Sequence, residues 1–241
     1  MGQQRAMQRF AKWHIWLGWL VGVPILMWTV TGLVMVIKPI EEVRGNHLRK
    51  EVPERALPAD TQIAVSLPAE STKPVRSVTT QVERGETITR IAYMDGTSAR
   101  FRPDGSTMGP LSEVEARLLV AEQIVGGDKV ANTARFDAEN VPFDFRRPMP
   151  VWQVELEDGT HVYVGTETGN VEAVRTRWWR TLDFMWGLHI MNLQTRELDD
   201  QSGFNYAMLV LFAALGVIGS ILGCILMFRR RKARPVPLID K

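Results

Sequence analysis

Two long runs without charged residues constrain this chain most. Residues 13–37 and 204–228 contain no Asp, Glu, Lys or Arg. At about 1.5 Å of rise per residue, a helix of either length reaches about 37 Å, enough to cross a hydrocarbon core of about 30 Å. A secretory signal peptide has a shorter apolar core and ends at a small-residue cleavage site, which the Lys-Pro-Ile-Glu sequence after residue 37 does not provide. The sequence therefore predicts two uncleaved membrane-spanning helices.

Basic residues beside both runs predict the orientation. Arg5, Arg9 and Lys12 precede the first run, and an Arg-Arg-Arg-Lys sequence begins at residue 229, after the second. Because positive charges near a span stay on the cytoplasmic side, both termini are predicted to be cytoplasmic. We expect a bacterial inner-membrane protein that contacts the lipid bilayer through both spans and places residues 38–203 in the periplasm.

Tryptophans cluster shortly before the second run. Trp178, Trp179 and Trp186 lie within residues 175–203, and indole rings favour the headgroup region of a bilayer. Residues 175–192 are therefore predicted to form an amphipathic helix on the outer leaflet, followed by a loop that leads into the second span.

The segment between the spans contains a repeated pattern. Sequences beginning at Ile88 and Val151 each show a strand, an Asp-Gly-Thr turn, a second strand, a glycine turn and a third strand. Asp-Gly pairs favour hairpins because glycine tolerates positive φ. A helix is predicted before the second copy, where Ser112 and Glu115 form a capping-box pattern and a Gly-Gly pair ends the apolar stripe.

These patterns predict an α+β domain with antiparallel sheets and a degenerate duplication, joined to a hairpin of two membrane helices. A helix before the first copy would fall at 61–68, where Pro68 limits its length. The predicted segments are a cytoplasmic N-terminus (1–12), the first span (13–37), a linker (38–58), a β-rich half-domain (59–110), a helix-and-sheet domain (111–174), the interfacial helix and loop (175–203), the second span (204–228) and a basic cytoplasmic tail (229–241).

The second copy and its flanking spans resemble a known family. The helix LSEVEARLLVAEQIVGG, the segment VANTARF and the hairpins PVWQVELEDGTHVYVGTETGNVEAV together resemble a PepSY domain. The spans resemble those of the PepSY-associated transmembrane helix family, in which a histidine opens a glycine-rich first span that ends in Thr-Gly. His14, Gly18 and Thr31-Gly32 match that pattern here, and Leu188-His189 matches a Leu-His pair that is typical near the last span.

The resemblance implies a function as well as a fold. The chain is similar to iron-regulated and siderophore-reductase-like membrane proteins. This similarity implies haem-based electron transfer linked to iron uptake. Larger members have about four spans, whereas this chain has two predicted ones. The resemblance therefore leaves open whether the chain is an enzyme, and no catalytic residue is assigned.

His14 is the first candidate haem ligand. Gly18 and Gly22 follow at i+4 and i+8, so all three share one helix face, and small residues beside an imidazole leave room for a flat macrocycle. An axial ligand to the iron of haem b is one interpretation of this face. The other is helix packing, because Gly18-x-x-x-Gly22 and Gly219-x-x-x-Gly223 are both helix-association patterns.

His189 is the second candidate ligand of a haem iron, with Gly187 beside it and Met185 one turn earlier. The competing interpretation is a histidine in the interfacial aromatic belt. His14 is predicted near the inner face and His189 near the outer one, so one copy cannot bring both to the same haem. A bis-histidine site would need a homodimer, or a partner subunit in a larger membrane complex.

Other chemistry finds little support in the sequence. Cys224 is the one cysteine, which excludes an internal disulfide, a C-x-x-C redox motif and covalent c-type haem. There is no H-E-x-x-H zinc motif, no nucleophile-elbow serine, no phosphate-binding glycine loop and no basic stripe with interleaved aromatics that would predict nucleic-acid binding. His161 is interpreted as a sheet residue, His47 as a solvated linker residue, and the acidic sequence that starts at Glu155 as a solvated strand face.

Three functions remain open from the sequence alone. The first is a haem-binding transmembrane electron-transfer module, and the second is an accessory subunit of a larger membrane complex. The third is a membrane-anchored module whose periplasmic domain binds a partner protein, inhibiting or regulating a peptidase through the edge of a hairpin.

Overall fold

The described part of the chain is helical at both ends and rich in strands between them. A computed structural model describes residues 2–53, 55–59, 73–197 and 199–230. Its helices are α1 (Gly2–Val36), α2 (Ile40–Val43), α3 (Glu113–Gln123), α4 (Arg177–His189) and α5 (Gly203–Arg230). Its strands are β1 (Val75–Glu83), β2 (Glu86–Tyr93), β3 (Ser98–Phe101), β4 (Thr107–Met108), β5 (Val130–Phe136), β6 (Val151–Leu156), β7 (His161–Gly165) and β8 (Val171–Arg175).

Internal contacts group the elements into two units. The helical unit comprises residues 1–38 and 181–241, and the central domain comprises residues 39–180. The two names are used in that sense below.

Helices α1 and α5 contain the two predicted spans. Their apolar stretches are Gln4–Val36 and Gly203–Phe228, with mean hydropathies of 2.0 and 2.7. Helix α1 ends before Pro39, whose ring disfavours helical geometry in the residue that precedes it. Helix α5 begins after Ser202, whose hydroxyl accepts the Asn205 N–H at 3.2 Å. The prediction of two long apolar helices is confirmed, and α1 begins well before residue 13.

The central domain contains two antiparallel sheets of four strands, each with its strands in chain order: β1-β2-β3-β4 and β5-β6-β7-β8. The predicted turns are present, with φ of +84° at Gly96 and +79° at Gly159. Helix α3 begins with the predicted capping box, in which the Glu115 N–H donates to Ser112 Oγ at 3.3 Å and the Ser112 N–H donates to Glu115 Oε2 at 2.8 Å. The α+β layout is therefore confirmed.

The duplication itself stays a prediction. Each repeated stretch supplies three of the four strands of its sheet, and β1 and β5 complete the sheets. The helix expected at 61–68 lies outside the described residues, and so does the basic tail from residue 231 onward.

Helix α3 packs on one face of the second sheet and forms the main core of the central domain. The Trp152 indole N–H donates to the Leu111 carbonyl at 2.7 Å, and the Leu111 N–H donates to the Thr166 carbonyl at 2.7 Å, so the entry to α3 is tied to the sheet. The buried members of this core are Leu111, Ala116, Leu119, Val120, Ile124, Val154, Leu156, Val162, Val164, Val171 and Val174.

Part of the predicted linker packs against this core. Gly45 has φ +73°, and a Cβ at that position would lie 2.8 Å from Val174 Cγ1. The Lys50 N–H donates to the Gln123 carbonyl at 2.7 Å, and the Val125 N–H donates to the Leu48 carbonyl at 2.8 Å. Because these bonds join backbone groups, no side-chain pattern in the linker sequence predicts them.

Replacing Gly45 with alanine is expected to destabilise the central domain by about 2–4 kcal/mol. Forcing an L-residue into the left-handed region costs about 1–2 kcal/mol, and the clash with Val174 adds about 1–3 kcal/mol. Gly85→Ala is the matched control, because Gly85 has φ +86° but no heavy atom within 4 Å of its Cβ position. Urea unfolding in mild detergent, followed by tryptophan fluorescence, measures both. Equal losses for the two variants would contradict the docking of residues 40–50.

Candidate functional site

His14 lies in the contact between α1 and α5. Its Nδ1 is 3.0 Å from the Gly219 carbonyl oxygen. Because a carbonyl oxygen only accepts hydrogen bonds, Nδ1 must carry the proton and donate. In the neutral ring the lone pair then lies on Nε2, for which the described residues provide no hydrogen-bond partner. The arrangement fixes the tautomer of the neutral ring.

The contact depends on small residues of α5. A Cβ added at Gly223 would lie 2.8 Å from His14 Cε1, and one added at Gly219 would lie 3.7 Å from Leu17 Cβ. Small residues let two helix backbones approach closely, which places the Gly219 carbonyl within reach of the imidazole. Gly219 and Gly223 thus lie in the contact between the two helices.

Gly18 and Gly22 lie elsewhere on α1. No heavy atom of the described residues comes within 4 Å of a Cβ placed at either position, apart from the helix's own neighbouring backbone. The glycine that contacts the His14 ring is Gly223, on the other helix. Gly18 and Gly22 instead leave an open strip on α1, and their role beside a haem stays a prediction.

His189 ends α4 and contacts the far end of α1. Its Nδ1 is 2.8 Å from the hydroxyl oxygen of Thr31, a residue that is only 2% exposed. The Thr31 hydroxyl has one proton and lies 2.8 Å from the Met27 carbonyl oxygen of its own helix. We assign that proton to the Met27 bond, so His189 Nδ1 donates to Thr31 and again leaves the Nε2 lone pair free. The Trp28 indole N–H donates to the His189 carbonyl at 2.9 Å, a second bond at the same place.

The end of α4 is built as a Schellman motif. The Asn192 N–H donates to the Gly187 carbonyl at 2.8 Å, and the Met191 N–H donates to the Leu188 carbonyl at 3.1 Å. Met191 takes the left-handed position, with φ +55°, where glycine is the usual residue. The missing glycine explains why the sequence pattern extended this helix to residue 192, whereas it ends at His189.

A polar network fixes the loop that follows His189. The buried Asp183 carboxylate lies 2.6 Å from Arg196 Nη1, and the Asn192 side-chain amide donates to the Glu197 carbonyl at 3.0 Å. The Gln201 amide donates to the Ile190 carbonyl at 2.7 Å. These bonds hold the backbone on both sides of His189 and thereby fix the direction of its ring.

The two candidate ligands contact the α1 helix at well-separated positions, His14 on α1 itself and His189 against Thr31. Thr31, the partner of His189, follows His14 by 17 residues, which corresponds to about 26 Å along a helix. One copy of the chain therefore does not bring both imidazoles to one haem, as the sequence predicts.

The central domain contains a polar cluster that sequence reasoning missed. His161 lies on β7, as predicted, but its Nδ1 is 3.0 Å from Asp144 Oδ2, and the Tyr163 hydroxyl donates to Asp144 Oδ1 at 2.5 Å. Asp144 comes from an irregular loop 17 residues before His161 in sequence, and no spacing rule connects them. Among the described residues no group of three or more His, Cys, Asp or Glu side chains is arranged to hold a metal ion.

The cluster shifts the ionisation of its members in opposite directions. Burial on its own raises the pKa of Asp144, but hydrogen bonds from His161 and Tyr163 and the charge on His161 outweigh it, so the pKa lies below its ordinary value. Burial, with the hydrogen bond to Asp144 and its negative charge, raises the pKa of Tyr163 far above the usual phenol range. Asp144 is therefore the charged member, and Tyr163 remains a neutral donor.

A comparison with protein families decides the identity of the chain. Residues 11–240 match the family model described as the PepSY-associated TM region. The chain belongs to this family. No curated protein and no solved structure matches it. As a PepSY-associated membrane protein it has α1 and α5 as its transmembrane helices, and the resemblance stated from the sequence is confirmed.

Thr31→Val in this PepSY-associated protein is expected to lower the stability of the helical unit by about 1 kcal/mol. The substitution keeps the side-chain shape but removes the hydrogen bond to His189, and interhelical bonds in membranes are worth about 0.6–2 kcal/mol. Thr29→Val is the matched control, because among the described residues the hydrogen bond of the Thr29 hydroxyl stays within its own helix, to the Ile25 carbonyl at 2.8 Å. Detergent-titrated unfolding compares the two variants. A larger loss for Thr29→Val would contradict the assigned contact.

Asp144→Asn is expected to remove pH-dependent stability from the central domain. A carboxyl whose folded pKa is depressed adds stability that is fully present above its unfolded pKa of about 3.9 and disappears as the pH falls through the folded value. The native chain should therefore lose stability as the pH falls below about 4, whereas the variant starts about 1–3 kcal/mol lower at pH 7 and changes less.

Urea unfolding at pH 7 and pH 3 measures this difference. Asp137→Asn, on the same loop with a side chain that is 70% exposed, is the control and should leave the free energy of unfolding at pH 7 within about 0.5 kcal/mol of the native value. An equal pH 7 loss for both variants would contradict a structural role for Asp144.

Proposed function

We propose that this PepSY-associated membrane protein is a haem-binding electron-transfer module of the bacterial inner membrane. The observation that supports it best is shared by His14 and His189. Each uses Nδ1 in a hydrogen bond to another helix, and within the described part of the chain neither Nε2 has a hydrogen-bond partner. The family resemblance links such a module to iron uptake.

The donor set fits a haem. Histidines that ligate a metal usually donate their other ring N–H to a carbonyl, a carboxylate or water, which fixes the tautomer and the direction of the ring. His14 makes such a bond to the Gly219 carbonyl, and His189 makes an equivalent one to the Thr31 hydroxyl. A bound haem would supply reversible one-electron chemistry at each position.

Glycines of α1 are consistent with the same proposal, although the glycine packed on the His14 ring is Gly223 of α5. Gly18 and Gly22 leave a strip without side chains on α1, the helix that carries His14. Gly32 lies beside His189, where an added Cβ would be 3.9 Å from Cε1. A flat macrocycle needs such gaps next to its axial ligand.

The proposed assembly has more than one chain. Since His14 and His189 are about 26 Å apart along α1, a second axial histidine must come from another copy or from another subunit. A two-fold homodimer would pair equivalent histidines at each end of the helices and give one redox site near each face of the membrane. The accessory-subunit function differs only in that the second ligand comes from a partner protein.

The proposed orientation follows from charge. Arg5 and Arg9 lie on the N-terminal turns of α1, so both termini are proposed to be cytoplasmic and the central domain periplasmic. Helix α4, with Trp178 and Trp186, is proposed to lie at the outer headgroup region.

Visible absorption spectra of the chain purified in mild detergent, after expression with added haem, test the proposal. We expect a Soret band in both redox states and sharp α-bands on reduction. His14→Gln and His189→Gln should each remove about half of the bound haem, and the double variant should bind none. Glutamine keeps an amide N–H for the Gly219 or Thr31 bond, so loss of haem would not follow from a lost helix contact.

His47→Gln provides the control, because His47 is exposed and lies outside the helical unit. It should leave the spectrum unchanged. A chain with no Soret band after haem addition, or full haem content in both His14→Gln and His189→Gln, would contradict the proposal.

A second candidate function is protein binding through the central domain. Strand β5 has seven residues and pairs only with β6 among the described strands, so its other edge can accept an extended segment of a partner. A pull-down from periplasmic extract with the detergent-solubilised full chain would test it. Retention of no periplasmic protein would remove its basis.

A further inference from the structure

One face of the first sheet carries two opposed arginines. Arg90 on β2 and Arg100 on β3 are register partners, so both side chains leave the same face. Like charges directly opposite each other in a sheet repel. Both are largely buried, with the Arg90 side chain 15% exposed and Arg100 4% exposed. This pairing is costly unless negative charge lies nearby.

The described residues supply one contacting carboxylate for the two guanidinium groups. Arg90 Nη2 lies 2.7 Å from Glu83 Oε1. Arg100 Nη2 donates to the Gly109 carbonyl at 3.0 Å. This carbonyl accepts a hydrogen bond but carries no negative charge to balance the guanidinium group. Glu115 and Glu83 act on Arg100, and Glu172 acts on Arg90, only at longer range. Of these, Glu115 is held by Ser112 in the capping box and Glu172 pairs with Arg147. Burial lowers the pKa of both arginines, which reflects the cost of desolvating two positive charges together.

Three donors on this face have no acceptor. Nε of Arg90, Nε of Arg100 and the Ser98 hydroxyl are buried without a hydrogen-bond partner among the described residues. Ser98 is two residues before Arg100 and pairs with Ala92, so it stands on the same face as both arginines. Buried polar groups in native proteins are nearly always hydrogen-bonded, so a cluster of three such donors indicates a missing acceptor.

A cavity of about 260 Å³ lies over this face. Its walls combine hydroxyl groups from two strands with a polar turn between β7 and β8, and Arg90 lines it as well. The lining side chains that can donate are Ser77, Thr79, Arg90, Ser98, Thr168 and Asn170. A larger cavity of about 1030 Å³ shares Arg90 and Asn170 with it and also reaches Arg100.

The turn between β7 and β8 closes the site because it contains a glycine. Gly169 has φ +62°, and a Cβ there would lie 2.9 Å from Arg100 Nη1. Its carbonyl oxygen lies 3.4 Å from Arg90 Nη2. The turn can therefore approach both arginines without a side chain filling the space between them.

We propose that this pocket binds the anionic group of a small molecule, a carboxylate or a phosphate, through Arg90 with the hydroxyl groups of Ser98, Ser77 and Thr79, while Arg100, the register partner of Arg90 that lines the larger cavity, contributes its positive charge from beside the pocket. The planar fork of a guanidinium group matches the oxygen spacing of both anions. One bound negative charge would balance the second arginine and accept from the unpaired hydroxyl. The site lies wholly within the central domain and does not rest on the haem proposal.

Thermal unfolding of the full chain in mild detergent tests the site, with sodium phosphate, sodium acetate and sodium chloride compared at equal ionic strength. An anion that binds only the folded chain raises the unfolding midpoint progressively, with the logarithm of its concentration once that exceeds the dissociation constant. Stabilisation by phosphate alone would assign a phosphoryl group, and stabilisation by acetate alone would assign a carboxylate. No stabilisation by either beyond that by chloride would overturn the proposal.

Ser98→Ala separates ligand binding from a structural role. Without anion, removal of an unpaired buried hydroxyl should leave the unfolding midpoint unchanged or raise it. With anion, loss of one hydrogen bond to a charged ligand should weaken affinity about tenfold. Thr87→Val, which removes a hydroxyl from the opposite face of β2, is the matched control and should leave affinity unchanged. Equal anion affinity in Ser98→Ala and the native chain would also overturn the proposal.

Discussion

The helical unit depends on the close contact between α1 and α5. Gly223 faces the ring of His14 and Gly219 faces Leu17, and neither glycine has a side chain to hold the helices apart. The Gly219 carbonyl oxygen therefore comes within 3.0 Å of an imidazole nitrogen. A polar ring packed between two apolar helices is costly without such a partner. The same bond that satisfies the ring also determines its tautomer.

Near the C-terminal end of α1, a second imidazole, that of His189, is also held by a hydrogen bond from Nδ1. There the partner is the Thr31 hydroxyl, which is oriented by its own helix and accepts from His189. The indole of Trp28 and the cap at Met191 hold the His189 backbone in place. Two unrelated local arrangements thus leave Nε2 without a hydrogen-bond partner among the described residues, and the proposed ligand function rests on this shared outcome.

The features that the sequence predicts correctly are those that depend on local residue patterns. The two apolar helices were predicted from the length of the runs without charged residues. The hairpins were predicted from the Asp-Gly pairs, and the start of α3 from Ser112 with Glu115. Each depends on residues that are close in the chain, so spacing rules apply. The histidines were also found in this way, because the family pattern places them beside glycines and near the spans.

The features that escaped prediction depend on distant partners. Asp144 meets His161 through an irregular loop, and Arg90 meets Arg100 only once the register of β2 and β3 is known. The linker docks through backbone groups, and α4 ends at a methionine in the left-handed region. Sequence patterns located His14 but assigned its small neighbours to its own helix, whereas the glycine against its ring is Gly223.

Nitrogen-15 NMR of the histidine side chains in the full chain tests the central claim most directly. Spectra would be recorded in alkaline buffer with 15N-labelled histidine, with assignments from His14→Gln and His189→Gln. The account predicts a protonated Nδ1 and a bare Nε2 for both residues, with both Nε2 signals displaced when haem is added. Protonated Nε2 in the haem-free chain, or Nε2 signals unchanged by bound haem, would contradict it.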